Sequence, residues 1–252
     1  MDIIKRNFFK LIRNGAFGEN NNIEPMSNYK WKVLDKMAQR HGVELVIKKA
    51  KGSEELFGDI LRVPDAGLSH MANSILNRRL QKIRDNEPTS PEASIETLNM
   101  LDIMVQTTEH LISQGLVLAY IIKMGMFLRM YGDRIDYVKL ENWLHRLGIS
   151  KMAEIEGSIL IYMFGFEKDE IPFVYRQIQF AYKLTMQTLA KPAQTDTDDW
   201  KFTQNDTIFV ENNSKAMIET IKNCMRYVPF APIEAVSCFI QRFTRSISNL
   251  EE

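Results

Sequence analysis

The chain has 252 residues, of which 45% are apolar and 25% charged, and its 32 Lys and Arg are matched by 32 Asp and Glu. This is long enough to bury a real core and has the composition of an ordinary globular protein. Zero formal charge excludes a global electrostatic pull toward nucleic acid or anionic lipid. Two cysteines, Cys224 and Cys238, lack metal-ligand spacing and are expected as free, buried thiols in a reducing compartment.

The first segment alternates apolar Ile3, Ile4, Phe8, Leu11 and Ile12 with Lys5, Arg6, Lys10 and Arg13. Two readings compete: a membrane-surface helix, and a terminal helix docked on the core with its basic side in water. The second is favoured, because one short helix of this kind is common in soluble folds. With no continuous apolar stretch and no small-residue cleavage motif, no secretory signal is expected. Gly15 to Pro25 is rich in Gly and Asn and predicts a loop.

Ser27 or Asn28 can cap a helix through Arg40, and a further helix is expected over 44–50. Pro64-Asp65 is expected to open a helix carrying Leu68, Met71, Ile75, Leu76 and Leu80, and ending in the basic run Arg78, Arg79, Lys82 and Arg84. Asp85 to Ser94, with two prolines among acids and small polar residues, predicts a break. Ser90-Pro91 then starts a long helix closed by Gly115. The most apolar run, Leu116 to Met130, is too short for a bilayer span and carries Lys123 near its middle.

Asp136 is a good N-cap, and Leu140, Trp143, Leu144 and Leu147 fall on one helical face before Gly148. Ser150 is expected to cap the next helix, whose stop is Gly165. Asp169-Glu170-Ile171-Pro172 predicts the opening of another, continuing over Phe173–Leu189 with Val174, Ile178, Ala181, Tyr182 and Leu189 inward. Lys191 to Asn213 is a polar linker with Trp200 and Phe202 as anchors. Ser214 caps a helix to about Tyr227, Pro229 and Pro232 break it, and a last helix covers about 233–248.

No alternating stretch is long enough for a sheet, so the expected fold is all-α: a compact bundle of about eight to ten helices. Its regions are 1–84, a linker at 85–95, 96–190, a linker at 191–213, and 214–252, together forming one compact domain.

Chemical motifs are sparse. His41, His70, His110 and His145 form no ligand pair, and the sequence holds no P-loop, no Gly-x-Ser-x-Gly and no Gly-x-Gly-x-x-Gly. The basic run at 78–84 could meet phosphate, although its place at a helix C-terminus equally suits a solvated face.

Three stretches carry a family resemblance. Ile135-Asp136, Lys139-Leu140-Glu141, Leu144, Leu147-Gly148-Ile149, Gly165-Phe166, Asp169-Glu170 and Pro172 make the first. Phe8 to Arg13 with Gly18 and His41-Gly42-Val43 make the second. Met225-Arg226-Tyr227 with Pro232-Ile233-Glu234-Ala235 make the third. Together they resemble the helical regions of an uncharacterised bacterial family of polymerase-β-like minimal nucleotidyltransferases. The resemblance implies a small sheet with a Gly-rich turn and an Asp-x-Asp pair holding Mg²⁺ on a triphosphate. By helix order that sheet should sit near Asp85 to Ser94, where there is room only for a loop. At the positions where the family carries Arg and Asp, this chain has Ala119 and Lys123.

The sequence therefore points to a non-catalytic, nucleotidyltransferase-like pseudoenzyme in the cytoplasm. It is expected to need no cofactor and to bind an unidentified protein partner or an anionic ligand through Lys123, Arg78, Arg79 and Lys82. No strong nucleic-acid signal and no transmembrane segment are present. One alternative is a divergent enzyme using Asp59, Asp133 and Asp136 with Mg²⁺ and a nucleoside triphosphate; Lys51-Gly52-Ser53 before Gly58-Asp59 is its weak phosphate-site candidate. A second alternative is peripheral membrane attachment through residues 3–13.

Overall fold

The computed structural model describes residues 2–52, 61, 63, 69–90, 92–190 and 221–248, with side chains to 244 in the last segment. Among them every regular element is helical, so the protein is all-α. No helix among the described residues is long and apolar enough to cross a membrane.

Helix α1 (Ile3–Phe17) starts where Asp2 accepts the Ile4 N–H and ends at Gly18 in the left-handed region. Phe8, Phe9, Leu11 and Ile12 lie buried in the core, so its apolar face is not free to meet lipid. Arg6 and Lys10 pair with Glu24, and Arg13 donates to the Met163 carbonyl. The loop expected from Gly15 begins later, at Gly18. Gly15 lies within the helix, and α1 crosses so close to α3 (Glu44–Ala50) there that an added Cβ would overlap the Val46 carbonyl oxygen. Helix α2 (Asn28–Arg40) lies between them in sequence; Ser27 holds its N-cap position without a side-chain bond.

Helix α4 (Ser74–Asn86) starts ten residues later than Pro64, capped by Asn73 on the N–H groups of Ile75 and Leu76. Residues 69–73 are not helical. Their amides are taken from outside, as Glu234 accepts from Ala72 and Asn73 and Arg84 holds the Ser69 carbonyl. Pro64 to Leu68 lie outside the described residues. The expected break at 85–95 comprises the end of α4, a 3-10 turn at Glu87–Thr89, and the cap of α5. That cap is Ser94, not Ser90.

Helix α5 (Ile95–Gln114) is the axis of the molecule. It is buried on nearly every side and packs against α6 (Leu118–Tyr131), α7 (Tyr137–Leu147), α8 (Ser150–Phe164) and α11 (Pro232–Ser248). Asp136 caps α7 by accepting the Lys139 N–H, as its spacing predicts, and Leu140, Trp143, Leu144 and Leu147 are all buried. The N-cap of α8 is Ile149; Ser150 is already helical and gives no cap.

The helix expected from Asp169 is absent, and turns fill 167–178. Ile171, Phe173 and Val174 bury themselves over Gly157 of α8, and the Ile178 N–H donates to Ser158 Oγ at 3.0 Å. Burial of three large side chains in an irregular strap outweighs the helical period here. Helix α9 is consequently confined to Gln179–Ala190, and Tyr182, expected inward, is 44% exposed. Helix α10 covers 221–227 of the described residues, and Pro232 opens α11 at its first helical position. The expected linker anchors Trp200 and Phe202 and the cap Ser214 lie outside the described residues.

Candidate anion-binding site

The last turns of α4 lie beside α7. Between them is a pocket of about 220 Å³, lined by Lys82, Ile83, Asn86, Glu87, Ser90, Trp143 and Arg146. Its shape follows from the two helical stripes. Leu80 and Ile83 turn inward from α4 and Leu144 and Leu147 from α7, while Trp143, 7% exposed, sits at the stripe edge and forms an aromatic wall. Arg79 Nη1 donates to the Arg146 carbonyl at 2.9 Å, which ties α4 to the C-terminal end of α7. That carbonyl belongs to the last turn, whose acceptors the helix itself leaves open.

The charge balance is one-sided. Glu87 is the one carboxylate among the described residues of the wall, and it is already engaged: Lys139 lies 2.9 Å away and the Ser94 N–H donates to it at 2.8 Å. Arg79, Lys82 and Arg146 make no ion pair among the described residues. His145, in the last turn of α7, is exposed beside them. An anion entering this pocket would meet cations from two helices and an apolar surface on one side.

The sequence-expected residues divide. Lys82 lines this pocket and Arg79 borders it; Arg78 is exposed on the same turn of α4 but lines neither pocket described here. Arg84 leaves the basic run altogether and turns inward to Asp102 at 2.7 Å, with further bonds to Ser69. Lys123 lines a different pocket, about 200 Å³, between α5 and α6, with Leu61, Val63, Ile103, Met126, Phe127, Met130 and Tyr131. Its ammonium donates to Gln106 Oε1 at 3.4 Å. The two pockets share no lining residue.

The described residues form no magnesium site. Asp136 spends Oδ1 on its helix cap, and among the described residues no three His, Cys, Asp or Glu side chains converge to hold a metal ion. Asp133 sits in the 3-10 turn at Gly132–Arg134, and Ser53, Gly58 and Asp59 lie outside the described residues.

Other titratable groups are structural. His41 is buried and held down to about 3 by burial and then by Arg40; its Nδ1 accepts the Leu118 N–H. Burial also lowers His110, which contacts the Gly115 carbonyl and packs on Tyr120. Cys224 and Cys238 are free and buried as expected; the Cys238 thiol draws Cys224 down to about 7 and is itself pushed up.

Sequence reasoning missed two features. Trp143 and Arg146 complete the pocket, and their signal was present in the basic end of α7 beside a stripe-edge aromatic. Glu156 is fully buried, with Thr108 donating to one oxygen at 2.8 Å and the other without a partner among the described residues. Its signal was the spacing Met152, Glu156, Ile159, Met163, which puts it on the apolar face. The chain matches no protein-family model, no curated protein sequence and no solved structure.

Proposed function

We propose that this chain is a non-catalytic binding module that takes a small anionic ligand, a phosphate ester or a carboxylate, between α4 and α7. The observation that carries the proposal is the grouping of Arg79, Lys82 and Arg146 around a Trp143-walled pocket whose own acid is neutralised by Lys139. Three cations without carboxylate partners among the described residues repel one another, and an anion held by two or three of them relieves that repulsion. In this proposal the chain is a helical frame akin to the nucleotidyltransferases it resembles, without their catalytic sheet. The short helical turn occupying 87–89 supports that view.

The test is a thermal-shift and calorimetry panel of inorganic pyrophosphate, nucleoside mono-, di- and triphosphates and small dicarboxylates, each with and without Mg²⁺. Binding is expected without Mg²⁺, raising stability by about 2.7 kcal/mol at a hundredfold excess over Kd. It should be lost in a Lys82→Ala/Arg146→Ala double variant whose unliganded stability lies within about 0.5 kcal/mol of wild type. No shift with any anion would overturn the proposal, and binding that requires Mg²⁺ would favour the enzymatic alternative.

A further inference from the structure

Helices α10 and α11 are joined by a tight reversal at 228–231, where the Tyr227 carbonyl accepts from Phe230 and Ala231, both at 2.9 Å. Each lays one side on the body. Cys224 of α10 reaches the Ile112 carbonyl of α5 at 3.7 Å, and α11, which packs against the same helix, buries Glu234, Ala235 and Cys238. This arrangement brings the two sulfurs together, the Cys238 thiol donating to Cys224. Arg242, one turn beyond Cys238 on α11, extends a positive field over both. Cys224 is fully buried, whereas Cys238 is 8% exposed and stands at the rim. A single buried thiol serves packing as a small apolar side chain. Two thiols in contact beside a cation have a second capacity.

We propose that Cys224 and Cys238 form a redox-active dithiol, which hydrogen peroxide converts reversibly into a disulfide joining α10 to α11. Thiolates attack peroxides and neutral thiols do not, so such a pair needs one sulfur that gives up its proton near neutral pH and a second that resolves the product. Cys224 meets the first need: the Cys238 donor holds it at about 7 against the opposing effect of burial, and Arg242 adds to the pull. Cys238 meets the second, because that same bond, and then burial, keep its proton in place. The Cys224 thiolate attacks one peroxide oxygen; the O–O bond breaks, an S–O bond forms, and the other oxygen leaves as hydroxide, which takes up the proton that Cys224 had released. The Cys238 sulfur then displaces the oxygen from Cys224, which departs as water with the Cys238 proton as the S–S bond forms. Each sulfur gives up one electron and the peroxide accepts both. Hydrogen peroxide is little larger than water and reaches the pair past the rim at Cys238. The proposal draws nothing from the α4–α7 pocket.

The test treats the folded, full-length chain with a small excess of hydrogen peroxide and follows it by intact mass and by peptide mapping without reductant. Wild type is expected to lose two hydrogens and to yield one peptide pair joined through Cys224 and Cys238, which dithiothreitol separates. Oxidation of the 14 methionines adds oxygen instead and is read apart from it. Cys238→Ser, which keeps a donor beside Cys224, should stop at a Cys224 sulfenic acid that dimedone traps. Cys224→Ser should react at least about tenfold more slowly, since its remaining thiol lacks thiolate character. Thiols that survive peroxide until the chain unfolds, judged by amide hydrogen exchange on the same sample, overturn the proposal, because that is how two core cysteines behave. So does a cross-link formed only between chains, a Cys238→Ser chain from which dimedone traps nothing, or a Cys224→Ser chain that reacts as fast as wild type.

Discussion

Helix α5 carries two buried polar clusters, and they are built to opposite standards. Toward its N-terminal end, Asp102 meets Arg84, whose guanidinium also binds the Ser69 carbonyl and hydroxyl. The donors there are matched by acceptors. Further along, Thr108 donates to Glu156, but the second carboxyl oxygen of Glu156 and the hydroxyl of Tyr227 are buried without a partner among the described residues. The difference teaches that burial of charge is tolerated in two ways. A charge can be paired, which makes each partner indispensable, or it can be suppressed by proton uptake, which makes the group dispensable but sensitive to pH.

The largest effect should come from breaking the paired cluster. Asp102→Ala strands Arg84 in the interior and is expected to cost about 3–5 kcal/mol in urea denaturation. A loss below about 1 kcal/mol, the value of an exposed pair, would erase the distinction between the clusters.

The second cluster should answer to pH. Burial holds the Glu156 carboxyl well above its ordinary range, with the Thr108 bond opposing weakly. The folded chain therefore keeps a proton that the unfolded chain releases. That contribution is complete below pH 4.5 and is lost as pH rises toward the folded value, by up to about 1.4 kcal/mol per pH unit. Glu156→Gln removes the slope while leaving Thr108 an acceptor. Unfolding measured from pH 5 to pH 8 should show wild type losing ground to the variant; parallel curves would mean that Glu156 does not titrate on folding.

The smallest effect concerns Tyr227, whose hydroxyl is pushed up to about 12, mostly by burial. Tyr227→Phe deletes a polar group that has no partner among the described residues and is expected to raise stability by about 1 kcal/mol. A loss of that size instead would reveal a partner for the hydroxyl and bring the two clusters closer in kind.

The sequence made the helices legible wherever the local pattern was also the global one. In α7 the cap, the apolar stripe and the closing glycine agree, and each appears as expected. It misled at 167–178, where Pro172 and the acids before it read as a helix start. The deciding interactions were with Gly157 and Ser158 of α8, which no local window contains. The same holds for the basic run of α4. Four cations in seven residues look alike in sequence, yet Asp102, eighteen positions beyond Arg84, draws that one inside and leaves Arg79 and Lys82 for the pocket.

The contact of Gly15 with Val46 has a consequence for the economy of the chain. Helices α1, α2 and α3 touch one another over a span of fifty residues, with the backbones of the first and third nearly meeting. Closing so short a circuit sacrifices little configurational freedom, since that sacrifice grows with the length of chain enclosed. The opening segment thus supplies a ready-made platform on which the longer-range partners, α6 and α8, can settle.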